Sequence, residues 1–304
     1  MPSKKTNKPD VSVIILNYNA EKFLRDTLNS VQMQKGISYE IIVVDNNSSD
    51  NSRQMVSHEF PKVKWVQRDT SLGFSAGNNA GLPHAHADVI LFLNPDASFQ
   101  KPDDLKKCYD KLHSDKTIGC LTARVNLVLT KGIDETCHRG FPTPWASFTH
   151  FSGLSKLFPN VPLFNQYTKR YLGYDNEHDI DAVGGMFMLM PRSVGDLVGW
   201  WDEDYPLYGE DLDFCYRIHE AGYRNLYWPG VTILHYKGVS TGMSQQSKSV
   251  STAKKETTRR VKGWSVQAME LFYRKHYQSK YPFFINYLVY LGLKIMYFVR
   301  VRLA

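Results

Sequence analysis

The chain is poor in cysteine, with four in 304 residues: Cys108, Cys120, Cys137 and Cys215. No CxxC pair occurs and no spacing fits a zinc pattern, which sets aside a zinc module or a disulfide framework. The four read as the reduced thiols of a cytoplasmic protein. No glycine-rich loop runs into Gly-Lys-Ser/Thr, and no G-x-G-x-x-G fingerprint occurs, which argues against P-loop NTPases and dinucleotide-binding dehydrogenases. Met1 to Asp10 is polar and lysine-bearing, without the apolar core of a signal peptide, and reads as a loose tail. No internal repeat is present. Acid is scarce at the C-terminal end. From Lys237 onward there are 13 Lys+Arg against 2 Asp+Glu, whereas residues 1–236 hold 24 against 28. A mildly acidic body with a strongly basic tail points to a polyanionic partner for the tail, either an anionic membrane surface or nucleic acid.

What is present is apolar patterning. Hydrophobic residues make up 42% of the chain, enough for a sizeable core. Val11–Leu16, Glu40–Val44, Val63–Val66 and Val89–Leu93 are short runs that read as buried strands. Glu21–Gln34 has apolar residues at helical spacing, and Ser75–Ala87 reads as helix mixed with loop. Ser49 or Asp50 stands where a cap for the next helix belongs. Such alternation predicts an α/β domain with a mostly parallel sheet and helices on both faces. Ligands of such sheets bind beyond the carboxyl ends of the strands. Polar residues gather there three times: Asn17 and Asn19, Asp45 to Asn47, and Asn94 to Asp96. Further strands are expected over Gly119–Leu129, Asp181–Met190, Leu226–Trp228 and Val231–His235, and a helix over Glu210–Ala221. Lys131–Asn176 is rich in aromatics and proline without clear period, as an insertion or lid would be. Ser240–Thr258 reads as a flexible loop.

Five features can carry chemistry, and each also has a plain structural reading. Asn94-Pro95-Asp96 ends an apolar strand with a hard oxygen ligand suited to Mg²⁺ or Mn²⁺, although all three residue types favour turns. Asp45 can accept the imide N–H of a pyrimidine base or cap a helix. Leu72 to Gly81 (LGFSAGNNAG) lets backbone approach a ligand closely. Gly209-Glu210-Asp211 offers a general base at a helix start, where acidic residues also suit the helix dipole. Asp213 and Arg217, four apart, read as a helix-face pair. His235, ending the run VTILH, can be structural, a metal ligand or a phosphate contact.

Together these segments resemble the family-2 glycosyltransferases, especially their rhamnosyltransferase-like branch. The resemblance is carried by VSVIILNYNAEKFLRDTLNSV, EIIVVDNNSSD, SLGFSAGNNAG, VILFLNPDA, GGMFMLMPRSV and WWDEDYPLYGEDLDFCYRIHEAGYRNLYWPGVTILHYKGVS, over roughly residues 10–240. It implies a nucleotide-diphospho-sugar (GT-A type) fold and inverting transfer of a sugar, rhamnose first. The donor would be a dTDP- or UDP-sugar and the acceptor a hydroxyl of a glycan or lipid-linked glycan. It implies donor-binding roles for Asn17, Asn19, Asp45, Asn47, Gly73, Asn78, Asn94 and Asp96. Asp96 and His235 would hold Mg²⁺ or Mn²⁺. Asp211 would be the catalytic base, with Glu210 as its alternative. The family's metal motif is often Asp-x-Asp; here Asn94 stands first and adds no charge. The alternative is a catalytically silent sugar-nucleotide- or glycan-binding protein of the same fold, against which Asp96, Asp211 and His235 all speak.

The domain reading is residues 1–9 as tail, 10–240 as the transferase with 131–176 as an acceptor-side insertion or lid, and 241–304 as a basic, amphipathic helical region. Tyr281–Val299 is largely apolar but interrupted by Asn286 and Lys294. Basic residues mixed with aromatics fit a helix lying on an anionic membrane surface, ahead of one that spans it or one packed on the body. No nucleic-acid motif accompanies the basic tail, so nucleic acid is not an expected partner. A cytoplasmic protein peripherally attached to the inner face of the cell membrane follows.

Overall fold

The computed structural model describes residues 8–71, 73–205, 207–238 and 255–302. Most of the expected N-terminal tail, Leu72 of the glycine-rich segment and most of the Ser240–Thr258 loop lie outside the described residues.

The β-branched runs form parallel strands because both their faces are covered. These are β1 (Val11–Asn17), β2 (Tyr39–Asp45), β3 (Lys64–Gln67) and β4 (Val89–Leu93). Helix α1 (Glu21–Gln32) follows β1 and buries Phe23, Leu24, Leu28 and Val31 on one face. Helix α2 (Ser52–Glu59) follows β2. The N-cap is Asn51, not Ser49 or Asp50, and makes no side-chain cap bond; Asp50 instead braces the approach, accepting from Ser52 N at 3.1 Å and Ser52 Oγ at 2.6 Å. Helix α3 (Gly73–Asn79) follows β3 and lies directly on β1. After β4 come β5 (Ala97–Phe99), α4 (Asp104–His113) and β6 (Ile118–Leu127). The 131–176 stretch contains α5 (Pro144–Phe151) and the single turn α6 (Leu154–Leu157). Then follow β7 (His178–Ile180), β8 (Phe187–Pro191), α7 (Arg192–Val198), α8 (Glu210–Glu220), β9 (Arg224–His235), α9 (Lys255–His276) and α10 (Phe283–Tyr297).

One nine-stranded sheet runs β3-β2-β1-β4-β8-β6-β9-β5, with β7 also on β9. It is mixed. The β3-β2-β1-β4 half is parallel, as is β6 with β9, while β8 runs antiparallel between β4 and β6. Two reversals restore direction, so the carboxyl ends of β1, β2, β4, β6 and β9 share one edge. The amino end of β8 joins them there.

Three further local expectations are corrected. Asp181–Met190 is a strand only from Phe187. A Cβ on Gly184 would stand 2.6 Å from the backbone oxygen of Thr136, so the preceding segment is a loop pressed against the insertion. Leu226–Trp228 and Val231–His235 are one strand, β9. Pro229-Gly230, which reads as a break, is a bulge where the register on β6 shifts between Ala123 and Arg124. Lys255 to Thr258, expected in a loop, begins α9.

The C-terminal helices differ in their contacts. α9 docks on α8: His276 Nε2 lies 2.7 Å from Asp213 Oδ1, and Arg217 pairs with Asp213 at i, i+4 as expected. α10 buries only Leu293 and turns Phe283, Phe284, Tyr287, Leu288 and Ile295 outward. Phe283–Val301 is long and apolar enough, by length and composition, to cross a membrane.

The glycines of the α3 segment serve packing. A Cβ on Gly81 would stand 2.8 Å from Ile14 Cγ2 and 3.2 Å from Val44 Cγ2, side chains fixed in the sheet. Gly81→Val is therefore expected to destabilise the fold by about 1–3 kcal/mol through overpacking, read as a lowered midpoint in urea unfolding. A midpoint equal to that of the native chain would show that α3 is free to move off β1.

Candidate donor and catalytic site

At the shared edge, register brings Asn17, Asp45 and Gln67 side by side on β1, β2 and β3. Asp45 is buried and accepts four hydrogen bonds: from Asn17 Nδ2 (2.8 Å), Ser48 Oγ (2.6 Å), Ser48 N (2.9 Å) and Gln67 Nε2 (3.0 Å). Asn17 Oδ1 is buried without a partner among the described residues. Asn19 and Asn47 hold left-handed backbone, φ 49° and 65°, which asparagine tolerates. Asn19 Oδ1 accepts from Ser49 N at 2.8 Å, and Asn47 is exposed. Gly73 opens α3 with φ 88°, and its carbonyl accepts from Asn46 Nδ2. Asn78 is buried, and its amide donates to Phe74 O inside its own helix at 3.1 Å.

The second cluster is built by β9. His235 pairs with Ala97 across the β5–β9 ladder, and this register sets its ring against the 94–96 turn. Its Nε2 lies 3.3 Å from Asp96 Oδ1 and 3.5 Å from Asn94 Nδ2. Its Nδ1 lies 3.0 Å from Oδ2 of Asp134, a fully buried carboxylate. Asp134 also accepts from Lys237 Nζ (2.5 Å), Thr136 Oγ1 (2.6 Å) and Thr136 N (3.1 Å). Burial works to lower the His235 pKa, but the charge of Asp96 and the bonds to both carboxylates outweigh it and push it up to about 9. Burial likewise works to raise Asp134, and His235 and Lys237 hold it well below the usual carboxylate range. Asp96 Oδ1 and His235 Nε2 converge, with the Asp134 carboxylate fixing the far side of the ring, so a metal ion bound there would take the place of the Nε2 proton. Among the described residues no three His, Cys, Asp or Glu side chains form a cage. The donor set fits a Mg²⁺ or Mn²⁺ ion that takes most of its shell from phosphate and water.

The third cluster opens α8. Tyr208 and Gly209 both have left-handed backbone, φ 70° and 82°, turning the chain sharply into Glu210-Asp211. Such conformations collect at functional sites. Asp211 Oδ2 receives Arg139 Nη2 at 2.5 Å and Gly185 N at 3.1 Å. Glu210 is 5% exposed and its Oε2 has no partner among the described residues; burial and the charge of Asp211 raise its pKa well above the carboxylate range. Only Asp211 of the two faces a cavity of about 250 Å³ shared with Arg139, Tyr167 and Tyr208.

The family model described as Glycosyl transferase family 2 matches residues 12–197. The chain belongs to this family. It is 28% identical over 234 residues to the rhamnosyltransferase WbbL of Escherichia coli K12, covering 74% of this chain and 83% of that one. It is 25% identical over 250 residues to an N-acetylglucosaminyl-diphospho-decaprenol L-rhamnosyltransferase of Mycobacterium tuberculosis, covering 77% and 78%. A low-salt glycan biosynthesis hexosyltransferase, Agl10 of Haloferax volcanii, is 26% identical over 218 residues. That match covers 70% of this chain and spans 63% of the relative's length. Among solved structures, the mannosyltransferase PcManGT of Pyrobaculum calidifontis, in complex with GDP-Man and Mn²⁺, superposes with a TM-score of 0.54 at 18% identity. It covers 89% of this chain and 64% of its own. The fold of this family-2 chain is of the GT-A type.

Sequence reasoning missed Asp134, Lys237, Arg139 and Gln67. Asp134 and Arg139 lie in the aperiodic 131–176 stretch, 101 residues from His235 and 72 from Asp211. Lys237 stood in the quoted HYKG run with nothing local to mark it. The buried pair can be tested by linkage. A histidine raised from 6.5 to about 9 on folding contributes stability that is full below pH 6.5 and lost as pH climbs to about 9. In metal-free buffer the unfolding free energy of the native chain should fall across that window. Asp134→Asn should flatten the fall and lower the His235 pKa in an NMR titration. An unmoved His235 titration in the variant would refute the pairing.

Proposed function

We propose that this family-2 chain is an inverting glycosyltransferase moving a sugar, rhamnose first, from a nucleoside-diphosphate donor to a hydroxyl of a glycan or lipid-linked glycan. The observation that carries the reading is the division of two adjacent carboxylates: Glu210 is sealed and held neutral, while Asp211 is charge-paired and faces a cavity. A base must reach the proton it takes, and only Asp211 can. Its carboxylate accepts the acceptor's O–H proton as that oxygen forms a bond to the anomeric carbon. The anomeric carbon–phosphate oxygen bond breaks on the opposite face, and its electron pair leaves with the nucleoside diphosphate. Arg139 and Gly185 N hold Asp211 in place.

The donor lies across the strand-end edge in this reading. Asp45 receives a uracil or thymine imide N–H when Gln67, an exposed side chain, gives up its bond to it. Asn17, Asn19, Asn47, Gly73 and Asn78 border the nucleoside and diphosphate. Asp96 and His235, with Asn94 beside them, would hold Mg²⁺ or Mn²⁺, whose charge offsets that of the departing diphosphate. The Mn²⁺ and sugar nucleotide named with PcManGT support that assignment. The names of the E. coli and M. tuberculosis relatives support rhamnose, and the latter names a lipid diphosphate acceptor. Residues 10–240 form the transferase, 131–176 its acceptor-side lid, and 241–304 the attachment to an anionic membrane surface on the cytoplasmic side.

A panel of dTDP-rhamnose and UDP-hexoses with extracted lipid-linked glycans should release nucleoside diphosphate with one donor, and EDTA should stop it. Asp211→Asn is expected to lower transfer by about 10²–10⁴-fold while nucleotide affinity holds. Near-native transfer by that variant would remove Asp211 from the base role.

A further inference from the structure

The cavity beside Asp211 is walled by α5, the start of α8, α9 and the turn after α10. Its charges do not balance internally. Among the described residues Asp211 is its one carboxylate, and Arg139 already faces it. Arg300, half-buried, lines the same space. Among the described residues no carboxylate pairs with it, and it stacks over the ring of Phe151 at 5.5 Å. His150, also in the lining, has a buried Nδ1 with no hydrogen-bond partner among the described residues. A desolvated cation and an unpartnered ring nitrogen in one cavity are completed by an anion.

The surroundings of the cavity say what carries that anion. Phe148 on α5, with Leu157 and Leu163 beyond it, is exposed, as are Phe284, Leu288 and Ile295 of α10. The Arg300–Phe151 contact ties these two apolar surfaces together beside the cavity. Apolar surface flanked by arginine and aromatics suits the interface of an anionic bilayer. A free glycan or nucleotide has no use for it; a lipid does.

We propose that this cavity is the acceptor subsite and holds the phosphate linkage of a lipid-borne acceptor. Arg300 supplies the counter-charge and His150 a hydrogen bond, while the lid and α10 rest together on the membrane. The inference rests on the transferase reading above and names its acceptor class. It makes the C-terminal turn part of the specificity machinery as well as of attachment.

The test uses the full chain, saturated with UDP or dTDP in Mg²⁺, titrated with farnesyl diphosphate and, separately, with farnesol. The diphosphate should bind roughly tenfold or more tightly than the alcohol. Arg300→Gln should erase the difference, Arg300→Lys should keep most of it, and His150→Gln should reduce it. Nucleotide affinity, measured alone, should hold in all three variants. Equal affinity for the two lipids, or a preference that survives Arg300→Gln, with nucleotide binding intact, overturns the inference and leaves the donor chemistry standing. Failure of the native chain to bind either nucleotide overturns both.

Discussion

A buried imidazole between two carboxylates organises this molecule. His235 ends the strand that pairs with three others, so its position is set by the sheet rather than by a loop. Asp134 grips one ring nitrogen from the start of the 131–176 segment, and Asp96 faces the other from the turn after β4. The contact joins three parts of the chain that share no local sequence. A carboxylate as deeply buried as Asp134 would be costly alone; with His235, Lys237 and Thr136 all donating to it, the group is satisfied and the ring cannot turn.

Two adjacent acidic residues at the head of α8 show how burial assigns chemistry. Glu210 and Asp211 are both carboxylates in a first helical turn, and the helix dipole favours both. Glu210 faces the core and loses its charge. Asp211 faces the cavity, with Arg139 and Gly185 N holding its carboxylate in place. Environments that push neighbouring titratable groups apart are the usual sign of divided roles. Contacts also separate Asp45, whose carboxylate accepts from Asn17, Ser48 and Gln67, from Asp96, whose carboxylate faces His235.

The parallel half of the sheet was legible because each strand is an apolar run that announces itself and each polar cluster follows directly. The Asp213–Arg217 pair was legible for the same local reason. The second half was harder. Pro229-Gly230 looks like a chain break, yet backbone on either side continues one strand, because a bulge absorbs what proline cannot donate. Gly184-Gly185 looks like strand interior, yet close packing against Thr136 makes it a loop. Small residues in the α3 segment suggested a ligand; Gly77 and Gly81 answer first to Leu16 and Ile14 of β1. Asp134 and Arg139 had no local signal, since their partners lie far along the chain and only the folded sheet brings them together.

The bulge in β9 divides that strand into two separately keyed lengths. The residues before it lock to β7 and the early part of β6; those after it lock to β5 and the end of β6. A strand without such a break transmits every one-residue slip to its far end and turns each side chain to the opposite face. Here an alteration near Arg224 can be taken up at Pro229-Gly230 before it reaches His235. The strand thus acts like a shaft with a coupling in it, and the imidazole takes its aim from the length that follows the coupling.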